Sequence, residues 1–143
     1  MGKWDFLYDI QKEFDFDLSI EKNGAKLTNR NTKESIEVYE EEYYYSDAPE
    51  ADPFVMYIVC FSTQHAHFEE LSEVKQYIIR LLNDEVLPIE FYLNGERRFG
   101  GEIEKTEYDE LTIDLLADRF GYTADYISQF EYEIHSWSGK YDT

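Results

Sequence analysis

Apolar residues recur along the chain with two different periods, and these periods predict a mixture of helices and strands. Near the start, apolar residues at helical spacing predict a short amphipathic helix over 3–13. Over 14–20 the apolar residues fall at every second position, which predicts a strand. Asn23 and Gly24 then predict a type I′ turn into a returning strand, and a third strand is expected around 35–39.

The middle of the chain contains one strongly apolar strand and one amphipathic helix. Residues 54–61 are apolar on both faces, which is typical of a central strand. A helix is predicted over 68–83, where apolar residues share one face. Residues 40–53 lose the pattern: Pro49 and Pro53 indicate a loop in the later half, while the earlier half also fits a continuation of the third strand.

The last third predicts a hairpin, a helix and a closing strand. The hairpin turns at 94–95, and a bulge is expected at 100–101. A helix is predicted over 106–120 and a strand over 130–135. The resulting order, α-β-β-β-β-α-β-β-α-β, predicts an α+β fold for a single domain over 1–143, with a mostly antiparallel sheet of six or seven strands and helices packed on one face.

Composition narrows the classes of protein to which the chain can belong. Its apolar share of 43% and aromatic share of 17% suit a packed core, whereas disordered acidic chains lack aromatic residues. No apolar run is long enough for a membrane-spanning helix, so no membrane association is expected. The single cysteine, Cys60, cannot form an internal disulfide, and a cytoplasmic location is therefore expected.

Negative charge is concentrated in the middle of the chain. The formal net charge is −19, and residues 34–74 contain eleven carboxylates with no Lys or Arg. Such a field repels phosphate and anionic lipid and attracts cations. The charge therefore favours a basic protein surface as the partner and disfavours nucleic acid.

The densest part of this region, 37–52, contains seven acids and four tyrosines. Carboxylates along a strand can meet Lys and Arg clusters, and tyrosines add contact area at low entropy cost. The sequence therefore predicts a non-catalytic binding protein of the inhibitor, immunity or charge-mimic type, without a cofactor. The same composition also fits a solvated loop. The candidate partner-binding residues are Glu37, Glu40, Glu41, Glu42, Tyr43, Tyr45, Asp47, Glu50 and Asp52.

An alternative hypothesis is a small metal- or thiol-dependent enzyme centred on Cys60, His65 and His67. The two histidines are expected where the central strand meets the next helix, and His135 could complete a metal site. The histidines could equally form the turn that begins the helix. Cys60 lies among apolar residues, where burial raises the pKa of a thiol and makes it inert.

A second alternative concerns residues 114–130, which resemble the helix-turn-helix of AraC-type regulators. Ala117 is the small residue of the first helix, Gly121 opens the turn, and Ile127 and Phe130 lie where the second helix packs back. The resemblance implies DNA binding. Charge opposes it, because residues 107–130 contain six acids and one base, whereas phosphate contacts require Lys and Arg.

Overall fold

The structure, a computed structural model, describes residues 2–48 and 50–143. The sequence predicted a loop at Pro49, and this residue lies outside the described ranges. The described residues form five helices and eight strands. The helices are α1 (Phe6–Gln11), α2 (Leu71–Leu82), α3 (Lys105–Tyr108), α4 (Ile113–Phe120) and α5 (Ala124–Ser128). The strands are β1 (Phe16–Ile20), β2 (Gly24–Asn29), β3 (Ser35–Tyr43), β4 (Phe54–Phe61), β5 (Gln64–Phe68), β6 (Val86–Leu93), β7 (Glu96–Glu104) and β8 (Glu131–Ile134).

The first five strands form an antiparallel sheet in the order β1-β2-β3-β4-β5. Side chains alternate across it, so that Ile36 and Val38 of β3 are buried, whereas Glu37 between them and Tyr39 after them are exposed. The buried face packs against α1 and α2, together with Trp4 and other apolar residues. Among the described residues, the apolar cluster that contains α1 and α2 lies on this buried face, and we call the opposite face, which carries Glu37 and Tyr39, the open face.

The remaining strands form a second antiparallel sheet in the order β7-β6-β8. Leu87, Ile89 and Phe91 of its middle strand are fully buried and pack with apolar residues of α4 and α5. The predicted α+β class is confirmed, but the strands form two sheets instead of one. Each sheet has its own pair of helices to bury its apolar face, so the helices do not share one layer. The single domain over 1–143 stays a prediction.

Polar contacts join α2 of the first half to β7 of the second. Tyr77 donates a hydrogen bond to Glu102 at 2.5 Å, and Arg80 pairs with Glu104. Burial, followed by the hydrogen bond to Glu102, raises the pKa of Tyr77. This phenol therefore stays neutral and keeps donating.

The two Asn-Gly pairs differ in conformation. Asn94 and Gly95 both have positive φ, 53° and 81°, as the type I′ turn between β6 and β7 requires. Neither Asn23 nor Gly24 has positive φ, so the hairpin of β1 and β2 is confirmed but its predicted turn type is wrong. Gly24 instead begins β2, where an added Cβ would lie 2.4 Å from the Val38 carbonyl oxygen.

Two further local predictions are corrected. The bulge is at Arg98 of β7, because Phe91 and Tyr92 of β6 pair with Phe99 and Arg97, and it is not at 100–101. The helix predicted over 106–120 is two helices, because the side chain of Thr112 caps a new helix by accepting a hydrogen bond from the amide of Leu115.

No helix within residues 2–48 and 50–143 is long and apolar enough to cross a membrane.

Candidate functional site

The predicted acidic region is partly strand and partly loop. β3 runs to Tyr43, so the first half of the region continues the strand, and residues 44–48 and 50–53 connect it to β4. β3 pairs with β4 along its whole length, from Ile36 with Phe61 to Tyr43 with Phe54. The residues from Glu41 onwards therefore lie near one end of the five-stranded sheet. We call the region formed by 41–48 and 50–55 the acidic end.

Strand alternation divides the four acids of β3 between the two faces. Glu37 and Glu41 lie on the open face, whereas Glu40 and Glu42 point to the other side. Glu40 pairs with Lys3 and its side chain is only 20% exposed, so its charge is largely neutralised. The structure therefore does not place the nine predicted residues on one face.

The remaining predicted acids are exposed and concentrate at the acidic end. Asp47, Glu50 and Asp52 lie in the connecting loop. Within the described residues, only Glu37 and Glu40 of the eleven acids in 34–74 have a Lys or Arg within ion-pair distance. Glu37 is 4.0 Å from Lys26 and remains half exposed. The charge of the region is therefore mostly directed to solvent.

Tyrosines of the acidic end donate hydrogen bonds to neighbouring carboxylates. The hydroxyl of Tyr43 lies 3.1 Å from Oε2 of Glu41, and that of Tyr44 lies 3.2 Å from Oε2 of Glu42. The pKa of Tyr43 is raised, first by desolvation and then by its bond to Glu41. The pKa of Tyr44 is raised by its bond to Glu42 and by that charge. Both phenols stay neutral donors that orient these carboxylates.

An exposed aromatic cluster lies among these acids. The rings of Tyr43 and Phe54 stack with centroids 5.4 Å apart and planes at 19°, and Tyr45 lies 5.4 Å from Phe54 on a tilted plane. Tyr45 is 45% exposed, Phe54 41% and Val55 37%. The sequence predicted that Phe54 and Val55 belong to a central strand buried on both faces. Both side chains are exposed instead, because they lie where the sheet ends, and an apolar run does not reveal that position.

A groove of about 380 Å³ opens beside this cluster, lined by Tyr45, Phe54, Val55 and Glu69. Glu69 immediately follows β5 and has no hydrogen-bond or ion-pair partner among the described residues. The sequence predicted Glu69 within the first turn of a helix, but α2 begins two residues later. A second groove of about 500 Å³ follows the β1–β2 turn and is lined by residues of both charges, including Lys22, Lys26 and Glu37.

The alternative enzyme site is brought together only in part. His65 and His67 lie in β5 and not in the predicted turn, with ring centroids 5.1 Å apart. Cys60 is paired directly with His65, so all three share the open face. His135 lies in the other half of the chain, 3.9 Å from Glu133. Within the described part of the chain, no three His, Cys, Asp or Glu residues are arranged to hold a metal ion.

The surroundings of Cys60 do not activate a thiolate. Burial raises the pKa of the thiol, and the negative charge of Glu37 raises it further. A hydrogen bond with Tyr39 acts in the opposite direction. A nucleophilic cysteine needs a lowered pKa, which requires nearby positive charge. The raised pKa therefore disfavours the thiol hypothesis, even with His65 paired to Cys60.

The segment that resembles a helix-turn-helix does form two helices with a turn between them. Gly121 has φ 75° at the end of α4, and Ile127 and Phe130 are buried as the resemblance implies. However, α5 contains only five residues and carries Asp125 in its first turn. Such a helix offers neither the length nor the positive charge for a DNA groove.

One buried carboxylate was missed by the sequence analysis. Glu90 of β6 is 1% exposed, although it alternates with apolar residues as a surface residue would. Its Oε2 accepts a hydrogen bond of 2.7 Å from Tyr92 and lies 3.7 Å from Nε of Arg97. Its Oε1 has no partner among the described residues. Arg97 therefore lies beside a buried acid of its own hairpin.

Comparison with known proteins found no matching protein family, no matching curated protein and no matching solved structure.

Proposed function

We propose that this chain is a non-catalytic binding protein that engages a basic protein surface through its acidic end. The observation that carries the proposal is the exposed cluster of Tyr43, Tyr45 and Phe54, surrounded by carboxylates without a cationic partner among the described residues. Large exposed apolar groups bordered by polar ones are typical of protein interfaces.

Electrostatics supports a cationic partner in particular. The carboxylates at one end of the sheet produce negative electric fields that add together. No Lys or Arg occurs within residues 34–74 to cancel this negative field. A field of this kind accelerates association with positively charged proteins and weakens as salt screens it. The aromatic cluster then supplies short-range contact that salt does not remove.

The finer parts of the proposal concern the role and the location. We propose an inhibitor, an immunity-type protein or a charge mimic, which would block a cationic enzyme or toxin by covering it. A cytoplasmic location belongs to the same proposal and is supported by the single unpaired Cys60.

The test compares two variants that remove the same number of charges from different places. The acidic-end variant combines Glu41→Gln, Asp47→Asn and Asp52→Asn. The matched control combines Glu110→Gln, Asp118→Asn and Glu131→Gln, which are exposed residues of the other half. Binding to a small cationic protein such as lysozyme is measured by calorimetry at low and high salt.

We expect the acidic-end variant to bind about tenfold more weakly than wild type at low salt, since each exposed pair contributes roughly 0.2–1 kcal/mol. The control should lose less than about threefold, because its charges lie far from the contact and act only through the screened field. Equal losses in both variants would show that net charge alone governs binding, and the proposed surface would then be wrong.

A further inference from the structure

The groove beside Phe54 has a shape and chemistry that suit one kind of side chain. We name it the Phe54 groove and define it by its lining residues Tyr45, Phe54, Val55 and Glu69. Three of these residues offer apolar surface, and the fourth offers a carboxylate. The groove therefore matches a side chain with an apolar stem and a cationic end.

We propose that the Phe54 groove receives an arginine side chain of the basic partner, an inference that rests on the proposed function. The stem of the arginine would lie along the ring of Phe54. Its guanidinium group would stack on an aromatic ring and pair with the carboxylate of Glu69. Guanidinium groups prefer this combination because they are planar, weakly hydrated and able to donate two parallel hydrogen bonds.

Negative charge reaches the groove from both sides of β4. β3 and β5 are the two neighbours of β4, so Glu41 of β3 and Glu69 after β5 approach its first residues from opposite sides. The carboxylate of Glu41 accepts a hydrogen bond from Tyr43, and that of Glu69 has no partner among the described residues. The potential at Phe54 therefore favours a cation, and the faces of its aromatic rings do the same.

Arginine fits this groove better than lysine. An ammonium group is compact and strongly hydrated, so it gains little from an open aromatic groove. A second copy of this chain is a poor occupant, since a protein of net charge −19 would bring like charges together.

The experiment uses two synthetic peptides of equal length and charge, one rich in arginine and one rich in lysine. Wild type is compared with Phe54→Leu, which removes the ring but keeps an apolar side chain, and with Glu69→Gln, which removes the charge. Controls in the other half are Tyr122→Leu, another exposed aromatic residue, and Glu110→Gln. Circular dichroism verifies that each variant is folded.

We expect the wild type to bind the arginine peptide about threefold more tightly than the lysine peptide. Phe54→Leu and Glu69→Gln should each weaken arginine binding about two- to fivefold and remove the preference, while the controls keep it. Methyl resonances of Val55 and Met56 should shift on addition of the arginine peptide.

The outcomes separate this inference from the function on which it rests. Salt-dependent binding of both peptides that is unaffected by Phe54→Leu and Glu69→Gln would overturn the arginine groove and leave the acidic surface in place. Absence of binding to either peptide at low salt would overturn both. Groove resonances that shift with protein concentration alone would identify a second copy of the chain as the occupant and would also overturn the inference.

Discussion

The buried carboxylate of Glu90 allows the charge balance of the fold to be tested quantitatively. Its side chain is 2% exposed, whereas that of its ionic partner Arg97 is 42% exposed. Replacing Arg97 with Met keeps most of the apolar stem and removes the guanidinium group. The change leaves a buried negative charge whose remaining partner is the hydroxyl of Tyr92.

The magnitude follows from the distance of 3.7 Å between Nε of Arg97 and Oε2 of Glu90. At an effective dielectric constant of about 20, Coulomb attraction at this separation is about 4–5 kcal/mol. Solvent screens the exposed guanidinium group, so we expect Arg97→Met to lower the free energy of unfolding by about 2–3 kcal/mol. Glu90→Gln should change it by less than about 1 kcal/mol, because Arg97 can turn to water and the amide still accepts from Tyr92.

Urea denaturation of wild type, both single variants and the double variant measures this coupling. Tryptophan fluorescence reports on Trp4 and Trp137, which are both buried, and circular dichroism verifies that the two sheets unfold together. We expect the double variant to recover most of the stability that Arg97→Met loses. Additive effects of the two changes, or a loss below about 0.5 kcal/mol in Arg97→Met, would refute this account.

Three further predictions concern single residues. The hydrogen bond from Tyr92 to Glu90 raises the pKa of Tyr92 to about 12, so an absorbance titration should contain a late phenol step near that pH, and this step should be absent in Tyr92→Phe. Because the raised pKa belongs to the folded state, the hydrogen bond of Tyr92 stabilises the fold fully below about pH 10, and this contribution is lost as the pH rises through about 12. A difference in unfolding free energy between wild type and Tyr92→Phe that grows over that interval would contradict this pH dependence. Gly24→Ala should destabilise the protein by about 1–3 kcal/mol in urea, since its Cβ would lie 2.4 Å from the Val38 carbonyl oxygen, and an unchanged midpoint would exclude that close contact. Cys60 should react several-fold more slowly with iodoacetamide in the folded chain than in urea, because burial raises the pKa of its thiol; equal rates would show that the thiol is not protected.

Sequence patterns predicted the elements that a clear run or a periodic set of apolar residues marks. β4 has the predicted boundaries, and α2 lies within its predicted range, because apolar residues mark both elements. β5 was missed since it contains His65 and His67 on its exposed side and only Ala66 between them. Strand pairing with β4 stabilises this segment, and no local pattern reports such pairing.

The candidate site was predicted in composition but not in geometry. Strand alternation separates Glu40 and Glu42 from Glu41, as a continued third strand predicts, but a run of acids does not reveal how far that strand continues. The pairing of Lys3 with Glu40 joins residues far apart in the chain, which a charge count cannot anticipate. The contribution of Glu69 likewise depends on β5 lying beside β4.

The central claim is that the acidic end is the contact surface for a basic partner. The most direct measurement is a nuclear magnetic resonance titration of the isotopically labelled chain with a small cationic protein at low salt, followed residue by residue. We predict that amide shifts concentrate in residues 41–48, 50–55 and Glu69, and that they disappear as salt is raised. Shifts spread evenly over both sheets, or concentrated in α4 and α5, would contradict the claim.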